Sequence, residues 1–214
     1  YEMTMGDWSS DVCSSDLVPA ESAAFETDQG FRSRHLADEK ERIAAAAAAL
    51  LGDAETVFLD EGNQPLLVGR ALPADRGLTI VTTSLPTAVE LAAGPRTTVI
   101  VVGGRVRPTT LGAVDAWATR MLERMEPDLA FMGANGITDD GWLTTPDPAV
   151  AAVKETALGC ARRAVLVGSH DKFGHSTFVR FAHVRDVERV ITGRELRTAA
   201  AGRLTALGTR VDRV

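Results

Sequence analysis

Short apolar runs alternate with amphipathic stretches along most of this chain. Thr56-Val57-Phe58-Leu59-Asp60 is apolar and stopped by Glu61-Gly62, which reads as a buried parallel-type strand. The same pattern predicts strands at Leu78–Thr82, Thr97–Val102, Leu129–Met132, Ala164–Val167 and Val187–Ile191, with a short edge strand at Thr209–Val214. Between them lie predicted helices. Asp38–Leu51 is the clearest, with acidic residues at its start, Ile43, Ala47, Leu50 and Leu51 on one face, and Gly52-Asp53 after its end. Pro65–Leu72, Pro86–Ala93, Val114–Met125, Pro148–Arg162 and Leu196–Leu207 follow, with Val114, Trp117, Met121 and Met125 expected to share a face.

Strands alternating with helices of this length predict an α/β fold: a mainly parallel sheet with helices on both faces. Ligands of such sheets bind outside the carboxyl ends of the strands. Those ends carry glycine or polar residues here: Asp60-Glu61-Gly62-Asn63-Gln64, Thr82-Thr83-Ser84, Gly103-Gly104-Arg105, Gly133-Ala134-Asn135-Gly136 and His170-Asp171-Lys172.

Residues 1–17 stand outside this pattern. Asp7–Leu17 reads DWSSDVCSSDL, without a period of 2 or 3.6, and back-translates to a stretch resembling a common sequencing-library adapter. The expectation is an artefactual tail that packs against nothing; a natural disordered polar tail is the alternative. Setting it aside changes the charge. The formal net charge of −6 includes Glu2, Asp7, Asp11 and Asp16 and no Lys or Arg from this segment, which leaves −2 for the remainder. Nothing in that balance is a basic footprint for duplex DNA. Of the two cysteines, Cys13 lies in the tail. Cys160 alone cannot form an internal disulfide, which fits a reducing, cytoplasmic setting. No apolar run reaches the roughly 18 residues of a membrane span.

Several residues could carry binding chemistry. Gly62-Asn63-Gln64 lies between a strand and a helix, where glycine lets the backbone approach a ligand and the helix N-terminus offers N–H groups to an anion; a plain turn is the alternative. Arg105 after Gly103-Gly104 could fork onto a phosphate or be a solvated side chain. Lys154, in the first half of its helix, and Lys172, past a strand end, could supply charge, and are expected to border solvent rather than belong to the core. His170 and His175 have no partners at metal-ligand spacing, so no metal and no cofactor is expected. No catalytic triad or apolar carboxylate pair is evident, and no catalytic residue is assigned.

Taken in order, Leu59-Asp60-Glu61-Gly62, Val81–Pro86, Val101-Val102-Gly103-Gly104-Arg105, Ala130–Gly136, Gly141-Trp142-Leu143-Thr144-Thr145, Val153-Lys154 and Lys172-Phe173-Gly174 resemble the C-terminal sensor domain of the DeoR family of bacterial transcriptional regulators. The resemblance runs from about Ser33 to Thr192. It implies the fold shared by ribose-5-phosphate isomerase, glucosamine-6-phosphate deaminase and CoA transferases. It also implies an effector-sensing domain over 38–214, a connector over 18–37, and a helix-turn-helix upstream that is absent here, so that operator DNA is a partner only through the missing domain. The effector would be a phosphorylated sugar or related small anion, and the regulator a repressor that self-associates to match paired half-sites. A sugar-phosphate isomerase is the competing reading, against which stands the lack of a paired acid and base. The expected ligand-binding residues are Asp60, Gly62, Asn63, Gln64, Thr82, Ser84, Gly103, Gly104, Arg105, Gly133, Asn135, Gly136, Lys154 and Lys172.

The chain also departs from the family pattern. Asp60-Glu61-Gly62-Asn63-Gln64 stands where Asp-Ser-Gly-Thr-Thr is frequent, Thr83 where Asn is usual, Val150 at a common Glu position and Ser169 at a common Asp position. The resemblance therefore implies a retained pocket with an altered phosphate cradle.

Overall fold

A computed structural model describes residues 36–214. The expectations for 1–17, and for the connector up to residue 35, lie outside the described residues. Helix α1 (Ala37–Ala48) leads into strand β1 (Thr56–Leu59), α2 (Asn63–Ala71), β2 (Thr79–Thr82), α3 (Leu85–Leu91) and β3 (Thr98–Val101). An antiparallel ribbon of β4 (Arg105–Val106) and β5 (Ala113–Val114) comes next, then α4 (Ala116–Leu122) and β6 (Leu129–Met132). The short strands β7 (Gly136–Ile137) and β8 (Trp142–Thr145) precede α5 (Pro148–Cys160) and β9 (Ala164–Val167). The chain finishes with β10 (Val179–His183), β11 (Arg189–Thr192), α6 (Thr198–Ala206) and β12 (Arg210–Arg213).

The main sheet has seven strands in the order β12-β11-β9-β6-β1-β2-β3, every neighbouring pair parallel. Its side chains alternate between two cores. Phe58, Ala130, Met132, Leu166 and Val190 pack on one face with α4 and α5 residues. Val57, Leu59, Leu129, Phe131, Val165, Val167 and Ile191 pack on the other with α1 and α2 residues. Burial on both faces is why these strands read as unbroken apolar runs.

The sequence pattern missed a second, three-stranded antiparallel sheet, β10-β8-β7. Its strands are short and half polar, and α5 contacts both β8 and β10 as well as β6 of the main sheet. Trp117 was expected on the buried face of its helix but is 76% exposed. The helix buries Ala118 and Leu122 instead, with Met121 and Met125 packed alongside. That is the same 3.6-residue period turned by one position.

The strand order fixes where a ligand can enter. From β1 the chain adds β2 and β3 on one side, then crosses back to place β6, β9, β11 and β12 on the other. The crossing leaves a crevice outside the carboxyl ends of β1 and β6, where loops leave in opposite directions.

Candidate functional site

A cleft opens at that crevice, with about 660 Å³ of space counted together with its open mouth. The loops after β1, β6 and β9 and the first turn of α2 line it, together with Lys40 from α1 and Lys154 from α5.

The loop after β1 begins with Asp60, whose carboxylate is fully buried. Its Oδ1 accepts the Glu61 N–H at 2.8 Å and its Oδ2 accepts the Gly133 N–H at 2.8 Å. The same Oδ2 accepts a hydrogen bond from Lys154 Nζ, which also donates to the Gly133 carbonyl at 3.2 Å. Asp60, Lys154 and Gly133 therefore tie together β1, α5 and β6. Only 4% of the Lys154 side chain and 1% of the Asp60 side chain is exposed. The expectation that Lys154 borders solvent is overturned: the carboxyl end of β1 lies under α5 and captures the ammonium for its own carboxylate.

Gly62 caps α2 with φ 115°, a conformation that favours glycine. Gly62, Asn63, Gln64 and Pro65 all line the cleft, so this end of the nine-residue helix brings the positive end of its dipole there, although Pro65 itself offers no N–H. Gln64 is buried. Its Nε2 donates to the Lys40 carbonyl of α1 at 2.9 Å.

Glu61 lies beside the cleft, with Thr110 donating to its Oε2 at 2.9 Å and Arg107 at 3.6 Å from its Oε1. Arg107 also reaches Asp147 at 3.1 Å. Burial pushes the Glu61 carboxyl above its ordinary value, opposed chiefly by the nearby Lys154 charge. A folded acid with a raised pKa holds its proton longer than the unfolded chain does. Its contribution is therefore favourable at low pH and is lost as pH rises from the ordinary glutamate value through the raised one. Glu61→Gln is expected to gain stability relative to the parent across that window. Urea midpoints measured from pH 4 to 7 check this: a difference that does not grow with pH would refute it.

On the β9 side, Gly168, Ser169 and Lys172 line the cleft. The turn His170–Lys172 is pinned to α1, since Glu39 accepts the His170 N–H at 2.7 Å and sits 2.8 Å from its Nδ1. Glu39, His170 and Glu195 bring possible ligand atoms within 4.8 Å of one another. Arg42 already pairs with Glu195 at 2.6 Å, so the trio reads as a hydrogen-bonded clasp between α1 and the strand ends.

Comparison with known proteins resolves the family. The model for the DeoR C-terminal sensor domain matches residues 35–194. The chain belongs to this family. The HTH-type transcriptional regulator GlpR of Haloferax volcanii is 31% identical over 194 residues, covering 91% of this chain and 76% of that protein. The glycerol-3-phosphate regulon repressor of Escherichia coli is 30% identical over 155 residues, covering 72% of this chain. The matched stretch spans only 62% of that repressor's length. A ribose 5-phosphate isomerase A from Methanocaldococcus jannaschii superposes at a TM-score of 0.46 and 18% identity, over 64% of this chain and 54% of its own. Among the described residues, no helix of this sensor domain is long and apolar enough to cross a membrane.

Of the residues expected from sequence, Gly62, Asn63, Gln64, Gly133, Asn135, Lys154 and Lys172 line the cleft. Asp60 sits beneath it as the anchor of Lys154. The others are placed elsewhere or used locally. Thr82 Oγ1 accepts the Ser84 N–H at 3.1 Å, and Ser84 caps α3 by accepting the Thr87 N–H at 3.3 Å. Gly103, Gly104 and Arg105 do not line the cleft, contrary to the expected convergence. They follow edge strand β3, about three strand spacings, or ~14 Å, from β6. Arg105 pairs with Asp115 at 2.9 Å, and a Cβ on Gly104 would lie 2.3 Å from the Val114 carbonyl oxygen. Gly136 belongs to β7, where a Cβ would meet His175 O and Thr144 Oγ1 at 2.8 Å. Asn135 lines the cleft but its Oδ1 accepts from Thr145 at 3.0 Å.

Sequence reasoning left out Lys40, Glu61 and Ser169 from the lining. Lys40 had a legible signal. It stands four and seven residues before Ala44 and Ala47, on the buried stripe of α1, where a lysine has no reason to be unless its head reaches something.

Proposed function

We propose that the cleft binds a phosphorylated sugar or polyol, and that its occupancy governs operator binding by the whole regulator. One observation carries this reading: Lys40, Lys154 and Lys172 meet the N-terminus of α2 in a single cleft at the sheet's switch point. Phosphate is matched by ammonium groups and backbone N–H donors together. The Lys154 charge is shared with Asp60.

In the same reading residues 38–214 are the sensing unit, 18–37 the connector and 1–17 an artefact, and operator contacts belong to a helix-turn-helix outside this chain. The whole regulator is then a cytoplasmic, self-associating repressor. The regulon named for the Escherichia coli relative makes glycerol 3-phosphate the first ligand to titrate. An isomerase reading is disfavoured because both candidate carboxylates are engaged: Asp60 accepts three hydrogen bonds and Glu61 is held by Thr110.

The test is calorimetry with glycerol 3-phosphate, fructose 1-phosphate and ribose 5-phosphate, alongside a shift assay with duplex DNA. Saturable binding of a phosphorylated ligand without turnover is the expected result. This chain should show no submicromolar, sequence-dependent DNA binding at physiological salt. Turnover of ribose 5-phosphate, or failure of every phosphorylated ligand to bind, would sink the proposal.

A further inference from the structure

Gln64 occupies a position where the family pattern has a small hydroxyl residue, and the structure gives its amide a fixed orientation. The residue is 8% exposed and lines the cleft. Its Nε2 donates to the Lys40 carbonyl at 2.9 Å. Turning the amide over would set two acceptor oxygens against each other at that distance, so the α1 carbonyl locks Nε2 inward. Oε1 lies on the other side of the amide. It is buried and has no hydrogen-bond partner among the described residues.

A buried carbonyl oxygen without a donor is costly, and native proteins rarely keep one unless something supplies the proton. The oxygens of a fully ionised phosphate ester cannot supply it, since they only accept and would be repelled. A hydroxyl can. We propose, resting on the reading of the cleft as a phosphorylated-ligand site, that Gln64 is a specificity residue which accepts a hydrogen bond from a ligand hydroxyl. The cleft then selects phosphorylated polyols and sugars over plain phosphate esters of the same size. The phosphate end is excluded from the Gln64 side and directed toward the α2 N-terminus and Lys172.

The discriminating experiment is a titration of this chain with glycerol 3-phosphate, fructose 1-phosphate, propyl phosphate and inorganic phosphate. At least one hydroxylated ester should bind about tenfold more tightly than propyl phosphate, the size of one neutral hydrogen bond. In Gln64→Met, which keeps the length and loses the acceptor, that preference should fall below about threefold, with propyl phosphate affinity little changed. Equal affinities for hydroxylated and plain esters in the parent chain would overturn the role of Gln64 and leave the phosphate cleft standing. A preference that survives Gln64→Met would do the same. Failure of all four ligands to bind would overturn both readings. The parent-chain comparison decides the matter even if the variant does not fold.

Discussion

Lys154→Met is expected to lower fold stability by about 3–5 kcal/mol, the cost of leaving a buried carboxylate without its partner. The argument starts from burial. Neither side chain of the Lys154–Asp60 pair has solvent to fall back on, at 4% and 1% exposure. Removing the ammonium leaves Asp60 facing the two N–H groups of Glu61 and Gly133, which stabilise a carboxylate but do not neutralise it. The second variant, Asp60→Asn with Lys154→Met, removes both charges and should recover part of the loss, because an uncharged pair has no stranded ion. The double variant should still be weaker than the parent, since an asparagine offers one acceptor oxygen and sets its NH2 donor against the other N–H group. Equilibrium urea denaturation of the three proteins checks this. A loss below about 1 kcal/mol for Lys154→Met would show that the pair is solvated in practice and that the lysine's charge is free for a ligand.

That expectation reverses what the sequence suggests for Lys154, and the reason is instructive. Position along the chain places Lys154 in the first half of a helix near the strand ends, which is correct. Whether the head of a lysine meets solvent or a carboxylate depends on which strand lies beneath the helix. That is a property of strand order, which apolar periodicity does not encode. The parallel sheet itself was legible, because burial on both faces leaves unbroken runs such as Leu129–Met132 and Ala164–Val167. The β10-β8-β7 sheet was not, because Trp142–Thr145 and Val179–His183 mix polar and apolar residues and Gly136–Ile137 is only two residues long.

The same distinction explains the candidate site. Each glycine-bearing loop was found at a strand end, yet only the loops after β1, β6 and β9 share the cleft. These are neighbours in the sheet, whereas β3 is its far edge. A strand-end glycine is equally suited to a ligand and to a close backbone crossing, and Gly104, over the Val114 carbonyl, is the second kind. Lys40 went the other way. Its helix was predicted and its place on the apolar stripe was readable, but what closes around the first turn of α1, Gln64 and the β9 loop, is a matter of tertiary packing.

Lys172→Gln is the change with the largest expected effect on ligand affinity: a weakening of about 10- to 100-fold for a phosphorylated ligand, equivalent to one charge-assisted hydrogen bond. Lys172 is the better probe than Lys154 because its side chain keeps 18% exposure and its nearby acid, Asp171, is 3.4 Å away and itself a quarter exposed. Losing the lysine leaves that carboxylate within reach of water, and the melting temperature should move by no more than a few degrees, as for a surface substitution. In a full-length regulator carrying this domain, the variant should hold its operator and release it only at higher ligand concentration. A ligand shifts such an equilibrium only through its differential affinity for the two states, and the variant lowers the affinity without touching the DNA-binding surface. Raising the salt concentration should narrow the gap between parent and variant, because part of the lost attraction is screened at this exposure. Calorimetric titration at two ionic strengths, with thermal melts as the control, checks both parts. Unchanged ligand affinity in a folded Lys172→Gln chain would remove Lys172 from the binding site and leave the anion to the α2 N-terminus, Lys40 and Lys154.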